Sequence, residues 1–167
     1  MDYRHIAVHR ITWSARKAIY GAGKLLVQTT PARYSSVASH KFGPGCRDVE
    51  LQGLSPGFQQ WMRDMEASAA QGMQADLAGL THFEAVTWDG RLRLSAFDAD
   101  TTWFDRDGAV VEHGAPLDAR EGVCACLLRV TGVWTSPRSW GLKIAVLEMK
   151  ELDPAKASPS GSSWAFR

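Results

Sequence analysis

The amino-acid sequence predicts a mainly β domain, an antiparallel barrel with one helix inserted between its strands. Three observations predict this class: short segments of alternating apolar and polar residues recur, two Asp-Gly turns join pairs of them, and one segment alone has helical spacing. With 167 residues, 45% of them hydrophobic and 22% charged, the chain can build one domain around a sizeable core.

The first third of the chain contains three segments with a strand pattern. Segment 4–13 mixes isoleucine and valine with histidine and arginine, which predicts a strand. Segment 16–29 predicts a strand pair that bends at its glycines, because glycine tolerates a positive φ. Residues 30–45 are polar and contain Gly and Pro, so they predict a loop. Residues 46–52 alternate again, as a half-buried strand does.

The single helical segment spans residues 56–71. Ser55 is suited to cap its first turn, and Pro56 is favoured at the first helical position. Gly72 is a plausible terminator. Apolar side chains at helical spacing form a stripe, which we interpret as core packing: Phe58, Trp61, Met62, Met65 and Ala69.

The remaining segments are predicted strands. Two turn signals predict hairpins, namely Asp89-Gly90 between segments 83–88 and 91–97, and Asp107-Gly108 between segments 101–104 and 109–112. Segments 122–135 and 139–150 predict a last long hairpin. In the first of them we expect the following residues on one face: Cys124, Cys126, Leu128 and Val130, with Trp134 further along it.

Strands of this spacing with one embedded helix favour a small barrel over a doubly wound sheet, and an OB-type barrel is the first candidate. We predict one domain over residues 1–152. The Pro-, Ser- and Gly-rich residues 153–167 are expected to be a flexible tail.

Composition excludes several classes. No apolar run approaches the roughly 18 residues that a membrane span needs, and the first residues lack the apolar region of a signal peptide. Three cysteines, an odd number, argue against a disulfide framework and for a reducing compartment. We therefore expect a cytoplasmic protein that does not contact membranes.

Enzyme motifs are absent from the sequence. It contains no GxxxxGK[ST], HExxH or GxSxG motif and no dinucleotide fingerprint. The segment Gly21-Ala22-Gly23-Lys24 lacks the Ser or Thr that a phosphate-binding loop requires after its lysine. We expect no enzymatic activity and no cofactor.

Two clusters have weaker chemical interpretations. Cys124 and Cys126 share one face of a strand, and Cys46 and His113 would complete a zinc set, but buried packing is the favoured interpretation. The acids Asp98, Asp100, Asp105 and Asp107 are compatible with a metal-dependent nuclease, although their place among turn signals favours local hydrogen bonding.

Charge and aromatic content indicate a polyanion partner. Residues 1–47 carry a net charge of +7 and residues 48–167 a net charge of −6. Many rings lie beside bases, and single-stranded nucleic acid is bound by cations that neutralise phosphates together with rings that stack on bases. The candidate binding residues are Arg10, Trp13, Arg16, Lys17, Tyr20, Lys24, Arg33, Tyr34, Lys41, Phe42, Arg91, Arg93, Arg138 and Lys143.

The order of segments resembles the replication single-stranded DNA-binding proteins of phages and viruses, of the podophage type with an OB fold. The matching stretches are DVELQGLSPGFQQWMRDMEASAAQ, DGRLRLSAF, TTWFDRDGAVV and GVCACLLRVTGVWTSPRSWGLKIAVLEMKEL, within residues 11–152. The resemblance implies binding of single-stranded DNA without strong sequence preference in replication, recombination or repair. It also implies self-association and neither metal nor catalysis.

The C-terminus departs from that family, whose members commonly end in a strongly acidic tail with a terminal aromatic residue that recruits replication enzymes. Here no acid follows Asp153. We expect Trp164 and Phe166 to bind a partner instead, a replication protein or a neighbouring subunit. The alternative to DNA binding is a structural β-barrel subunit of a virion or larger assembly, in which exposed rings make protein contacts.

Overall fold

The computed structural model describes residues 2–21, 24–38, 43–111 and 120–155. Two 3-10 helices (Tyr3–His5 and Val8–Arg10) precede the first strand. The strands are β1 (Ile11–Ser14), β2 (Lys17–Tyr20), β3 (Leu25–Gln28), β4 (Ala32–Ala38), β5 (Cys46–Gln52), β6 (Thr81–His82), β7 (Leu92–Phe97), β8 (Thr102–Phe104), β9 (Arg120–Thr135) and β10 (Ser139–Leu152). Helices α1 (Pro56–Gly72) and α2 (Gln74–Leu77) lie between β5 and β6.

The strands form one mainly antiparallel sheet, which confirms the predicted class. Its hydrogen-bonded order in the described ranges is β1-β2-β9-β4-β5-β7, with β3 and β10 also paired to β9 and with β6 and β8 paired to β10. This path does not close into a ring. The Thr101 hydroxyl, just beyond β7, donates a 2.8 Å hydrogen bond to the Val146 carbonyl of β10. That bond holds the end of the path against the longest strand pair.

Helix α1 packs on the sheet through the stripe that the sequence predicts. Ser55 caps it by accepting a hydrogen bond of 3.2 Å from the Phe58 amide. Phe58, Trp61 and Met65 are buried in a single core together with the inner faces of the sheet. Within the described ranges, no helix is both long and apolar enough to cross a membrane.

Several predictions of local structure were wrong. In the two short predicted hairpins, segment 83–88 contributes only the isolated bridge Val86–Leu92, and the described residues 109–111 contribute only the bridge Phe104–Val110.

In segment 4–13 only residues 11–13 lie in a strand, and two 3-10 turns occupy much of residues 4–10. The first turn is capped by the Asp2 carboxylate, which accepts from the Arg4 amide. Within the predicted loop 30–45, strand β4 forms because it pairs with β5 on one side and β9 on the other, which buries Ala32, Tyr34 and Ser36. Partners distant in sequence therefore override its polar composition.

The long hairpin β9–β10 contains the feature on which the candidate site depends. Lys143 pairs with Gly132, but Ile144 pairs with Val130, so Thr131 is an extra residue in β9, a β-bulge. The strand faces reverse there: Val130 points into the core, and beyond the bulge Val133 does so too. The prediction that Trp134 shares the face of Val130 was therefore wrong, because Trp134 points outward.

The bulge is fixed by the turn between β1 and β2. The Val133 amide donates a hydrogen bond of 3.0 Å to the Arg16 carbonyl. Gly132 has a φ of +153°, and a Cβ atom on it would lie 1.8 Å from that same carbonyl oxygen. The turn itself holds Ala15 and Arg16 at φ values of +47° and +64°. Only glycine permits so close an approach of the two backbones.

We expect Gly132→Ala to destabilise the protein by about 3 kcal/mol or more, because the added methyl group overlaps backbone atoms that cannot rotate away. Gly53→Ala is the control. Gly53 has a φ of +76°, but a Cβ atom on it would meet no other atom within 4 Å, so only the backbone strain of about 1–2 kcal/mol is expected. Denaturant unfolding measures both, and equal losses would contradict this account of the bulge.

A buried carboxyl group connects α1 to the chain after β6. Glu66 is 4% exposed, and its Oε1 accepts a 2.6 Å hydrogen bond from the Ala85 amide and lies 3.4 Å from Nε2 of His82. Burial raises the pKa of Glu66 above the usual range of a glutamate, although the Ala85 amide and His82 act in the opposite direction.

A raised pKa in the folded state gives a definite pH dependence. The stabilising contribution is complete below the pKa of the unfolded chain and is lost as the pH rises through the folded pKa. Glu66→Gln keeps the acceptor for Ala85 and removes the titration. We expect this variant to be more stable than the wild type at pH 7, by on the order of 1 kcal/mol. Its free energy of unfolding should also lack the loss that the wild type shows as the pH rises.

Thermal or denaturant unfolding from pH 4 to pH 8 measures the effect. Glu121→Gln, at an exposed position of β9, is the matched control and should follow the wild-type profile. A Glu66→Gln profile parallel to the wild type would show that burial does not govern this carboxyl group.

Candidate nucleic-acid interface

The bulge brings together side chains from β2, β9, β10 and the segment after β6. We call the resulting surface the outer face, and it consists of Lys17, Phe83, Arg129, Trp134 and Lys143. Partners in antiparallel pairs point to the same side of a sheet. The registers Lys17–Gly132–Lys143, Trp134–Gly141 and Arg129–Ala145 therefore place these residues opposite the core-facing side chains.

Two aromatic rings form one end of the outer face. The ring centroids of Phe83 and Trp134 are 5.9 Å apart, with the ring planes at 57°. Phe83 is 57% exposed and Trp134 is partly buried. A Cβ atom on Gly141 would lie 2.8 Å from Cζ2 of Trp134, so the absence of a side chain lets the indole lie across β10. The pair therefore presents aromatic surface to solvent from a fixed position.

Two lysines flank the bulge. Lys17 on β2 and Lys143 on β10 are both exposed, and each pairs with Gly132 in the strand between them. Their backbones are therefore two strand spacings apart, roughly 10 Å. In the part of the chain that the structure describes, neither lysine has a carboxylate oxygen within 4.0 Å. Their positive charge is thus uncompensated beside the two rings.

Two of the predicted cations form ion pairs with acidic side chains outside the outer face. Arg91 contacts Asp89 at 2.6 Å and Glu50 at 3.3 Å, and Arg93 contacts Glu50 at 3.3 Å. The hydrogen bond from Arg91, followed by that from Thr87, lowers the pKa of Asp89 to about 2. These arginines belong to an ion-pair network at β7 and lie apart from the outer face.

Three of the rings chosen from the sequence, Trp13, Tyr20 and Tyr34, have partners within the protein. Tyr34 is 5% exposed and belongs to the core. Trp13 faces α1, where its Nε1 donates a 3.0 Å hydrogen bond to Oγ of Ser68. The Tyr20 hydroxyl donates to the His5 carbonyl at 3.5 Å. None of the three lies on the outer face, and we do not include them in the interface proposed below.

The other predicted residues belong to several turns and strands. Arg16 is exposed in the turn that contacts Gly132, and Arg138 is exposed in the turn between β9 and β10. Arg10, Lys24 and Arg33 are exposed before β1, before β3 and on β4, respectively. Four predictions fall outside the described residues: Lys41, Phe42, Trp164 and Phe166.

The clusters considered for metal chemistry have structural roles where they are described. Cys124 and Cys126 are buried free thiols with their sulfur atoms 3.8 Å apart, and this thiol–thiol contact together with burial raises the pKa of Cys124. Asp105 accepts hydrogen bonds from the amides of Asp107 and Ala109 within its turn. Over the described ranges, no group of three or more potential ligands is placed to hold a metal ion.

Sequence reasoning did not select Phe83, Arg129 or Trp134 as binding residues. Strict alternation places Trp134 in the core, and Arg129 stands among apolar residues of a strand. One signal was present, because a glycine inside a strand pattern indicates a bulge or a close backbone approach. Gly132 is that glycine, and the residues beyond it change faces.

Comparisons with known proteins point to one fold. No protein-family model matches the chain, and no curated protein matches it. The single-stranded DNA-binding protein from bacteriophage Enc34 matches with a TM-score of 0.51 and 11% identity, over 93% of this chain and 96% of that one.

Two further structures of that phage protein are similar at lower scores. Its complex with single-stranded DNA has a TM-score of 0.49 and 11% identity, covering 91% of this chain and 99% of that one. Its C-terminal truncation has a TM-score of 0.45 and 11% identity, covering 85% and 94%. The TM-score of 0.51 supports, at the level of the fold, the resemblance that the order of segments indicated, and the podophage type stays a prediction. Over nearly its whole length, this chain has the fold of a phage single-stranded DNA-binding protein.

Proposed function

We propose that this protein binds single-stranded DNA without strong sequence preference, and that the outer face is where it does so. The observation that carries the proposal is the placement of two uncompensated lysines beside the exposed Phe83 ring and the partly buried Trp134 ring on one surface. Binding sites for single strands combine these two chemistries. The shared fold with a phage protein named for the same activity supports the proposal.

The two chemistries divide the work of binding. Lys17 and Lys143 neutralise backbone phosphates and release their counterions, which supplies affinity that depends on salt. Phe83 and Trp134 offer ring faces to unpaired bases, and each such stack contributes about 1–3 kcal/mol. A base inside a duplex is already stacked on its neighbours, so this surface favours single strands. Every base has a flat face, which makes the recognition tolerant of sequence.

The proposal extends to the biological setting. We propose a non-enzymatic role in phage replication, recombination or repair, where a protein of the podophage type keeps exposed strands covered. Self-association and recruitment of replication proteins through the C-terminal segment belong to the same proposal.

We expect salt to weaken binding of oligo-dT, with log K falling by about 0.7 for each tenfold rise in salt and each neutralised phosphate. The double variant Lys17→Gln/Lys143→Gln should bind more weakly and have a slope smaller by about 1.4. Quenching of tryptophan fluorescence at several ionic strengths measures both. Arg63→Gln, an exposed cation of α1, is the control and should match the wild type. A wild-type affinity independent of salt would overturn the phosphate contacts.

We expect Trp134→Ala and Phe83→Ala each to weaken binding by about 1–3 kcal/mol, because each removes a stacking surface. Fluorescence anisotropy of a labelled oligonucleotide measures this loss without relying on tryptophan. Trp88→Ala is the matched control, since Trp88 is 90% exposed in the turn before β7 and lies outside the outer face. Equal affinities for all three variants and the wild type would remove the rings from the interface.

Self-association in light scattering without any affinity for DNA would favour the structural-subunit alternative.

A further inference from the structure

Arg129 on β9 combines partial burial with the lack of a polar partner among the described residues. Its Nε is buried and makes no hydrogen bond. No carboxylate oxygen lies within 4.0 Å of it in the described ranges. By contrast, Arg91, Arg93 and Arg106 are each paired with an acid. A buried donor without an acceptor is unfavourable, and native proteins rarely keep one without a reason.

The direct neighbours of Arg129 in the sheet offer no acceptor, and Gln28 on the next outward row makes no hydrogen bond to it. In the sheet Arg129 lies between Leu26 of β3 and Ala145 of β10, and neither side chain can accept a hydrogen bond. Thr131, the extra residue of the bulge, already donates its hydroxyl to the Lys143 carbonyl at 3.1 Å. Glu148 lies on the next outward row, opposite Leu127, and no ion pair joins it to Arg129. The Arg129 side chain is thus partly buried between apolar neighbours, and no acidic side chain compensates its charge.

The position of Arg129 on the outer face indicates which ligand could supply the missing hydrogen-bond acceptor. It is on the outer face, beyond the Lys17–Gly132–Lys143 row as seen from the Phe83–Trp134 pair. A strand whose bases stack on those rings and whose phosphates pass the lysines would continue over Arg129. The small Ala145 side chain leaves space there. The planar guanidinium offers two parallel N–H groups that match two oxygens of a phosphate, which an ammonium group cannot do.

We propose that Arg129 binds one phosphodiester group of the single strand. On binding, its guanidinium turns toward the phosphate and Nε gains the acceptor that it lacks in the free protein. This inference rests on the proposed function and adds to it a specific phosphate site. The lysines contribute charge that tolerates many geometries, whereas Arg129 contributes a fixed pair of donors.

The test uses the full chain and a labelled oligo-dT. Arg129→Gln should lower the affinity about tenfold or more, as expected for loss of a hydrogen bond to a charged group, and should reduce the salt slope by about 0.7. Arg129→Lys should keep the slope but not the wild-type affinity, because it preserves charge without the paired donors. Arg63→Gln is the matched control for loss of one positive charge.

A spectroscopic measurement follows the Arg129 side chain in the wild type itself. In ¹⁵N NMR spectra of the wild type, the Arg129 Nε–H signal, identified by its absence from Arg129→Lys, should shift and exchange more slowly with solvent when oligo-dT is added. Wild-type affinity in Arg129→Lys, or an Nε–H signal that oligo-dT leaves unchanged while the wild type binds, would overturn this inference. Absence of oligo-dT binding by the wild type would instead overturn the proposed function.

Discussion

The contact between the β1–β2 turn and the bulge of β9 determines the rest of the molecule's outer surface. The turn places Ala15 and Arg16 in the left-handed region, which costs L-residues roughly 1–2 kcal/mol each. Such a conformation persists only where the surrounding structure over-determines it. Here the Val133 amide and the bare backbone of Gly132 do so. Because the bulge also sets which side chains point outward beyond it, one backbone contact positions both the lysines and the indole.

The cations of this protein differ in whether an acidic side chain compensates them, and this matters more for the candidate site than where they fall along the sequence. Of the N-terminal cations, Lys17 lies on the outer face, whereas Arg10, Lys24 and Arg33 belong to other segments, before β1, before β3 and on β4. The arginines of β7 are compensated by Asp89 and Glu50. What remains uncompensated in the described ranges at the outer face is Lys17, Lys143 and Arg129. A cation without an acidic partner need not break an ion pair before it contacts a phosphate.

Local sequence patterns predicted the helix and strands that are specified by their own residues. They failed to predict a strand that forms only because it pairs with segments distant in the sequence. Helix α1, strand β5 and the β9–β10 hairpin lie within two residues of their predicted bounds, because a cap, alternation and a turn each act within a few residues. Strand β4 was missed because its partners β5 and β9 are distant in sequence. The residues of the candidate site were predicted only in part. Lys17 and Lys143 were chosen from composition, whereas Trp134 depends on a bulge that alternation alone does not reveal.

The bulge of β9 turns Trp134 outward, which leaves apolar ring surface in contact with water. If residues 130–134 alternated regularly, without a bulge, Trp134 would point into the core and Val133 to the surface. Burial of the larger side chain would then remove more apolar area from water. The bulge does the reverse. Gly141 then limits the exposure, because the indole covers a bare stretch of β10, and Phe83 covers part of what remains. The half-buried indole therefore keeps part of its ring surface beside uncompensated cations, which is the combination that the proposed single-strand site uses.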